Sequence, residues 1–509
     1  MRIWDTCKLV SDYIQHRYIK PNLVEAREYQ TSLAKQAASE NCLVVLPTGL
    51  GKTTVALQVI AEYLSKGTGG ILFMAPTRVL ANQHYEFLKN NLTIEDIALL
   101  TGEDTVTKRK KLWANSVICA TPEITKNDLD RELVSVDQFV LVIFDEAHRT
   151  VGDYAYSSIA HRFANSGARI MGMTATLPSE KEKATEIITT LRVASVAERN
   201  ESSPDVKPYI QKTDTEWIKV DLPHEMKEVQ FYLRKALAVQ HNELQRCGMR
   251  LSGNVSLSQL LRARDFVLRQ NRRAAKPLFT AIRLHYALNI LESHGITSFL
   301  RFCDRTREKK GAGIKDLFEN DSNFLRALAY AKDAQNKGIE HSKITKLAEI
   351  IKLIQGKAIV FTSYRDSVEI IHQKLVEMGI SAGFLIGKAG ETGLKQKKQI
   401  ETVQKFRDGE YQVLIATRVG EEGLDISEVN NVIFFDNVPS SIRFVQRKGR
   451  TGRKSVGRLF VLIAKDTIDE AYYWVGQRKI KAAQGMGDKL ARDLQKQNDV
   501  PKSALDAYF

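Results

Sequence analysis

Cys42-Leu43-Val44-Val45-Leu46-Pro47-Thr48-Gly49-Leu50-Gly51-Lys52-Thr53-Thr54 is the stretch that decides how this chain folds. Five apolar residues run unbroken into a glycine-bearing loop, and helical periodicity follows from Thr54 to Leu64. A strand apolar on both faces belongs inside a parallel sheet covered by helices. Glycines let backbone N–H groups approach phosphate oxygens, and the helix that follows adds its N-terminal dipole. In such a cradle Lys52 meets the β and γ phosphates of ATP and Thr53 meets Mg2+, with Thr48, Gly49, Gly51 and Thr54 completing it. Leu46 stands where the longer form of this motif has its first glycine, so the short T-G-x-G-K-T form is the one present.

The same grammar recurs along the first two hundred residues. Ile71 to Ala75 runs into Pro76-Thr77-Arg78, Val117 to Ala120 into Thr121-Pro122-Glu123, and Phe139 to Phe144 into Asp145. Ile170 to Met173 then precedes Thr174-Ala175-Thr176. Ligands of parallel sheets bind beyond the carboxyl ends of the strands, where these polar loops fall. Asp145 is positioned to complete magnesium coordination and Glu146 to polarise the attacking water. His148, with Thr174 and Thr176, is expected to couple that site to the other lobe.

From His224 to Thr345 strand-like runs vanish and long helical periodicity takes over, as in Met226 to Leu244 and Leu257 to Gln270. This insert holds 22 Lys and Arg against 12 Asp and Glu, a surplus of ten. Strands resume at Lys357 to Phe361, Gln412 to Ala416, Asn431 to Phe435 and Arg458 to Ile463, and a polar helix is expected from about Asp469 to Gln497. Gln446-Arg447-Lys448-Gly449-Arg450-Thr451-Gly452-Arg453 precedes the last of these strands. Arginines supplied from a second element stabilise charge at a γ-phosphate; Arg450 and Arg453, three apart, can face one cleft, with Gln446 a turn earlier. The expected architecture is α/β, with two parallel-sheet lobes and an all-helical insert domain between them. Residues 1–205 form the N-terminal helix and first lobe, 206–223 a linker, 224–345 the insert, 346–480 the second lobe, and 481–509 a C-terminal helix and tail.

Bulk properties agree. At 509 residues, 43% hydrophobic and 27% charged, the chain fits about three globular domains. No apolar run reaches the roughly 18 residues of a membrane span, and Met1 to Lys20 lacks a signal-peptide core, so a cytoplasmic location is expected. The five cysteines are scattered without metal-ligand spacing. A net charge of +15 favours a polyanionic partner.

With these residues in place, the chain resembles the superfamily-two DEAH-box helicases, most closely the archaeal Hef and Fanconi anemia M-type enzymes, over residues 18 to 480. The likeness includes Arg27-Glu28-Tyr29-Gln30, Ala75-Pro76-Thr77-Arg78, Phe144-Asp145-Glu146-Ala147-His148-Arg149, Ile359 to Arg365, Ala416 to Asp425 and the closing arginine segment. Ser202-Ser203-Pro204-Asp205-Val206-Lys207-Pro208-Tyr209 is a more family-specific match. The resemblance implies RecA-like lobes, adenine reading by Arg27 and Gln30, nucleotide contacts from Gly423 and Asp425, and ATP-driven movement, by analogy 3′ to 5′, on stalled forks and Holliday junctions. It implies strand contacts from Thr77, Arg78, Thr101, Gly102 and Thr121 in the first lobe and Thr362, Tyr364 and Thr417 in the second. The insert becomes a thumb-like DNA contact. No E-R-K-x-x-x-D nuclease signature is present, so any XPF-type nuclease is expected as a separate partner.

If Leu257 to Lys276 is one helix, Arg262, Arg269, Arg273 and Lys276 share a face suited to phosphates. At the end, Leu505, Tyr508 and Phe509 form an apolar turn resembling a sliding-clamp (PCNA) peptide, with Lys502 where that pattern has glutamine. Two other readings stay open: a duplex-RNA-stimulated ATPase of the RNA-sensor type, and a clamp-tethered scaffold that binds ATP without unwinding.

Overall fold

The computed structural model describes residues 13–498 apart from 68, 153, 211–212, 251–254, 312, 388–395, 418–428, 438–439, 441–442, 444–446 and 448–456. The apolar runs of the first lobe become β1 (Cys42–Val45), β2 (Gly70–Met74), β3 (Ile97–Leu99), β4 (Val117–Ala120), β5 (Phe139–Phe144), β6 (Arg169–Thr174) and β7 (Ser195–Glu198). They pair in parallel in the order β3-β4-β2-β5-β6-β1-β7. Most of their side chains are buried on both faces, split between two apolar clusters above and below the sheet. That double burial is why the runs are continuous rather than alternating.

The second sheet contains β8 (Thr213–Val220), β9 (Ala358–Phe361), β10 (Ala382–Leu385), β11 (Val413–Ala416), β12 (Asn431–Phe434) and β13 (Gly457–Ala464), in the order β10-β11-β9-β12-β13-β8. Here the structure corrects the expected linker. Within 206–223, Thr213–Val220 is an eight-residue edge strand, parallel to β13 along its whole length. Its burial is irregular, with Trp217 exposed, so the apolar signature of a buried strand is missing. The chain therefore enters the second lobe before leaving it for the insert.

The insert is built from helices His224–Arg246, Leu257–Gln270, Ala275–His294, Ile296–Arg307, Ile314–Glu319 and Ser322–Asn336 around one apolar cluster. The single helix expected through Lys276 does not form. Helix Leu257–Gln270 stops at Asn271 (φ −140°, ψ 64°), a short turn covers Arg272–Ala274, and a new helix begins at Ala275. Asn271 instead donates its side-chain amide to the Cys247 carbonyl at 2.8 Å. Arg262 and Arg269 keep a common face, while Arg273 and Lys276 lie beyond the bend.

The expected helix 469–497 is two helices, Ile468–Gln484 and Met486–Asn498, divided at Gly485. The second crosses back to the first lobe, where Met486 and Leu490 are buried in its core and Lys181 pairs with Asp493 at 2.9 Å.

Candidate nucleotide site and nucleic-acid face

The loop after β1 holds Gly49 and Gly51 at φ 92° and 85°, a region open to glycine at little cost. Gly51 caps the 15-residue helix Lys52–Lys66. A Cβ there would fall 2.3 Å from Gln30 Nε2. That amide donates to the Leu50 carbonyl at 2.9 Å, and the Tyr29 hydroxyl donates to the same oxygen at 2.8 Å. The helix Glu28–Ser39 is thus pinned to the glycine loop. Gln30 Oε1 stays buried without a hydrogen-bond partner. An orphaned acceptor of this kind fits the exocyclic amine of an adenine. Arg27 pairs with Glu25 at 3.0 Å and stands 5.0 Å from the Tyr209 ring, which lies 5.6 Å from that of Tyr29. Tyr209, not foreseen as a site residue, makes the Ser202–Tyr209 segment a wall beside Arg27 and Tyr29.

Lys52 Nζ donates to the Leu46 carbonyl at 3.1 Å, with Thr48, Thr53 and Thr54 partly exposed around it. Across the sheet, Asp145 is 5% exposed at the end of β5 and its Oδ2 is 2.8 Å from His84 Nε2. Burial alone would raise its carboxyl, but the His84 hydrogen bond and charge, with Lys52 beyond, hold it below the usual value. His84 stacks on Phe73 at 4.3 Å, and the Tyr156 hydroxyl donates to the Asp145 carbonyl at 2.9 Å. His84 is 61 residues from its partner and sits in no motif, so nothing local could reveal it.

Glu146 adopts φ 51°, ψ 50°, a left-handed conformation that costs a non-glycine residue about 1–2 kcal/mol. Its Oε2 is buried without a hydrogen bond, 3.3 Å from His148 Nδ1. His148 Nδ1 also lies 3.1 Å from Thr174 Oγ1, whose own proton goes to the Thr176 carbonyl at 3.0 Å. The three residues expected to act in coupling form one hydrogen-bonded chain beside Glu146.

Strand order divides the sheet by chemistry. The glycine loop lies beyond β1 and Asp145–Glu146 beyond β5, with the threonines expected to act in coupling between them beyond β6; those expected to meet a strand lie beyond the adjoining trio β3, β4 and β2. Thr77 caps helix Arg78–Asn91, Arg78 pairs with Glu103 at 3.0 Å, and Thr101 donates to Asp104 beside the unobstructed Gly102. Thr121 is buried at the start of helix Pro122–Asp130. In the second lobe Thr362 and Tyr364 follow β9, and Thr417 follows the neighbouring β11.

A buried polar node ties that lobe together. Asp436, 2% exposed just past β12, accepts from Thr362 Oγ1 and Ser363 Oγ at 3.0 Å each. Arg447, fully buried, donates through Nη1 to the Asp436 carbonyl at 3.1 Å and to Oδ1 at 3.3 Å, its guanidinium 5.5 Å from the Phe361 and Phe434 rings. From the insert, His294 Nε2 approaches Asp436 Oδ2 to 3.8 Å while its Nδ1 meets Ser367 Oγ at 2.9 Å. Burial would raise Asp436, but Arg447, His294, the Ser363 N–H and Lys343 bring it down to about 2. Sequence reasoning passed over Asp436, although Phe434-Phe435-Asp436 repeats the strand-to-carboxylate pattern of Phe144-Asp145. Gly423, Asp425, Gln446, Arg450, Arg453 and the tail residues Leu505, Tyr508 and Phe509 lie outside the described residues. In the insert Arg262, Arg269 and Arg273 are exposed, and Lys276 pairs with Asp316 at 3.1 Å. Among the described residues no group of three His, Cys, Asp or Glu could hold a metal. A magnesium ion held by Thr53, Asp145 and phosphate oxygens requires none.

A glycine loop and paired carboxylates on one parallel sheet, with a buried arginine node on a second, define a two-lobed helicase motor. Residues 27–184 match the DEAD/DEAH box helicase family and 342–455 the helicase conserved C-terminal domain. The solved Hef helicase domain of Pyrococcus furiosus is 36% identical, covers 90% of this chain and 99% of its own, and superposes with a TM-score of 0.68. The chain belongs to the Hef and Fanconi anemia M-type helicases. Curated relatives include a Methanocaldococcus jannaschii protein provisionally named an ATP-dependent RNA helicase, 38% identical over 91% of this chain and 60% of its own length. The ATP-dependent DNA helicase MPH1 of Pyricularia oryzae is 33% identical over 89% of this chain and 44% of its own. The Fanconi anemia group M protein of Gallus gallus is 30% identical over 89% and 26%. The chain thus spans between a quarter and three fifths of these relatives. No helix among the described residues is long and apolar enough to cross a membrane.

Proposed function

We propose that this chain is an ATP-dependent DNA helicase or translocase that remodels branched DNA, forks and Holliday junctions, with 3′ to 5′ polarity. The observation that supports the reading is the gathering of the Gln30 acceptor, Lys52 and the Asp145–Glu146 pair about one glycine loop, on a sheet whose other half carries the residues expected to meet a strand. Lys52 and Thr53 hold phosphates and Mg2+, Asp145 holds its charge at neutral pH, and Glu146 aims the water. ATP hydrolysis supplies the free energy. Arg450 and Arg453 stabilise charge from the second lobe, with Gln446, Gly423 and Asp425 lining the same side. DNA rather than RNA is favoured because MPH1 and the Fancm protein of Drosophila melanogaster are by name DNA helicases, against RNA-helicase names for the Methanocaldococcus jannaschii protein and the FANCM of Arabidopsis thaliana.

Side-by-side ATP-dependent processing of fork, Holliday junction, linear duplex and duplex RNA tests this. Preference for branched DNA is expected; stimulation by RNA alone overturns it in favour of the sensor-type reading. If Glu146→Gln leaves fork remodelling intact, the scaffold reading gains. A clamp contact through Leu505, Tyr508 and Phe509 belongs to the same proposal. Loss of PCNA capture on replacing Tyr508 and Phe509 by alanine is its test.

A further inference from the structure

We infer that the insert carries a stacking platform for unpaired bases on the paired helices His224–Arg246 and Ser322–Asn336, apart from the basic helix Leu257–Gln270. The inference rests on the DNA reading above and names which part of a branched substrate this face takes. Phe231 and Tyr330 are 50% and 41% exposed, and Val239, two turns beyond Phe231 on the same helix, is 44% exposed. Tyr232 joins the two helices, its ring stacked on Tyr330 (5.4 Å, 17°) and edge-on to Phe231 (5.3 Å, 77°).

Two cations are set over these rings. Lys235 Nζ is 4.3 Å from the Phe231 centroid and 5.9 Å from that of Tyr232, and the Arg326 guanidinium is 5.8 Å from Tyr232. Among the described residues neither has a carboxylate partner, whereas Arg246, Arg264, Lys276 and Lys337 of the same insert are ion-paired. Acids nearby include Glu228, whose charge acts on Tyr330, and Asp333, already paired with Lys337 at 2.7 Å, with Glu225 also acting on Lys337.

Exposed rings cost solvation that a folded insert has no internal reason to accept, and unpaired cations over them select an anionic, flat-faced occupant. A continuous duplex offers such a surface only phosphates, because its base faces are stacked inside. An unpaired strand offers both phosphates and π-faces. Phe231, Lys235 and Val239 follow one helical row of about 12 Å, and Arg326 and Tyr330 a second beside it, room for about three bases at 3.4 Å each. The occupant is therefore the single-stranded arm of a fork, seated base-first, with Lys235 and Arg326 taking its phosphates.

The test compares binding, by fluorescence anisotropy, of a fork with a normal single-stranded arm, the same fork with an abasic arm, and a blunt duplex. Wild-type protein is expected to bind the normal arm roughly tenfold more tightly than the abasic one, as one base–aromatic stack allows. Tyr330→Ala and Phe231→Ala should abolish that preference while leaving blunt-duplex affinity unchanged, and Tyr330→Phe should retain it. An equal affinity of wild type for normal and abasic arms overturns the platform without recourse to any variant. Unchanged preference in both alanine variants also overturns it. Failure of wild type to bind any of the three DNAs refutes the DNA reading itself, a different outcome from loss of base preference alone.

Discussion

Asp436→Asn removes one negative charge from a site closed to water, and the structure sets the size of the effect. The wild-type carboxylate is 2% exposed and receives Thr362, Ser363 and Arg447 as donors, with His294 at 3.8 Å. A fall from 3.8 to about 2 corresponds to roughly 2.5 kcal/mol of preference for the ionised form in the folded lobe. Breaking a buried charge pair from one side costs about 3–5 kcal/mol, and asparagine keeps one acceptor oxygen. A loss of about 2–4 kcal/mol is expected, confined to the second lobe. Native-state hydrogen exchange at β9 and β12 reads that lobe separately, which a global melt of several domains does not.

The pH dependence gives a second, independent check. A carboxylate with a lowered folded value contributes stability that is full above about 4 and is lost as pH falls through about 2. The gap between wild type and variant should therefore be constant from pH 7 to 5 and close between pH 4 and 2. A gap that persists undiminished at pH 2 would mean a steric rather than electrostatic effect. An unchanged exchange rate at pH 7 would refute the node altogether. Because Arg447 opens the arginine segment, kcat for ATP hydrolysis should fall while KM for ATP changes little.

Gly51→Ala must combine a φ of 85° with a Cβ 2.3 Å from Gln30 Nε2. Left-handed strain of about 1–2 kcal/mol plus a lost hydrogen bond of about 1 kcal/mol predicts ATP affinity at least tenfold weaker, measurable by titration with a fluorescent ATP analogue; wild-type affinity would clear the loop of that role. Glu146→Gln should lower ATPase kcat by about 10²–10⁴ while nucleotide binding persists, judged by steady-state kinetics alongside equilibrium binding. Glu198, raised to about 7 by burial and then by Asp488, lies against helix Met486–Asn498, where a Cβ at Gly487 would collide with it. The undocked carboxyl ionises near 4.5, so docking should weaken as pH rises from about 4.5 and be weakest above about 7. Limited proteolysis of that helix at pH 5 and pH 8 should show the change in wild type and not in Glu198→Gln.

The parallel sheets, the glycine loop and the helical character of the insert were all legible in the chain's residues. Those features are written in short windows: a run apolar on both faces, a glycine pair with positive φ, a 3.6-residue period. The start of the helix at Leu257 was legible from its periodicity, and in the structure Ser256 and Gln259 close a capping box there. Its end was not, because Asn271 turns the chain for the sake of a carbonyl 24 residues away. That β8 joins the second sheet, that His84 bonds Asp145, and that Asp436 binds three separate segments came from long-range packing. In each case one partner is uninformative without the other, and topology alone brings them within hydrogen-bonding distance. Strand order likewise set the loops expected to meet nucleotide apart from those expected to meet a strand, since adjacency in a parallel sheet follows crossovers rather than chain order.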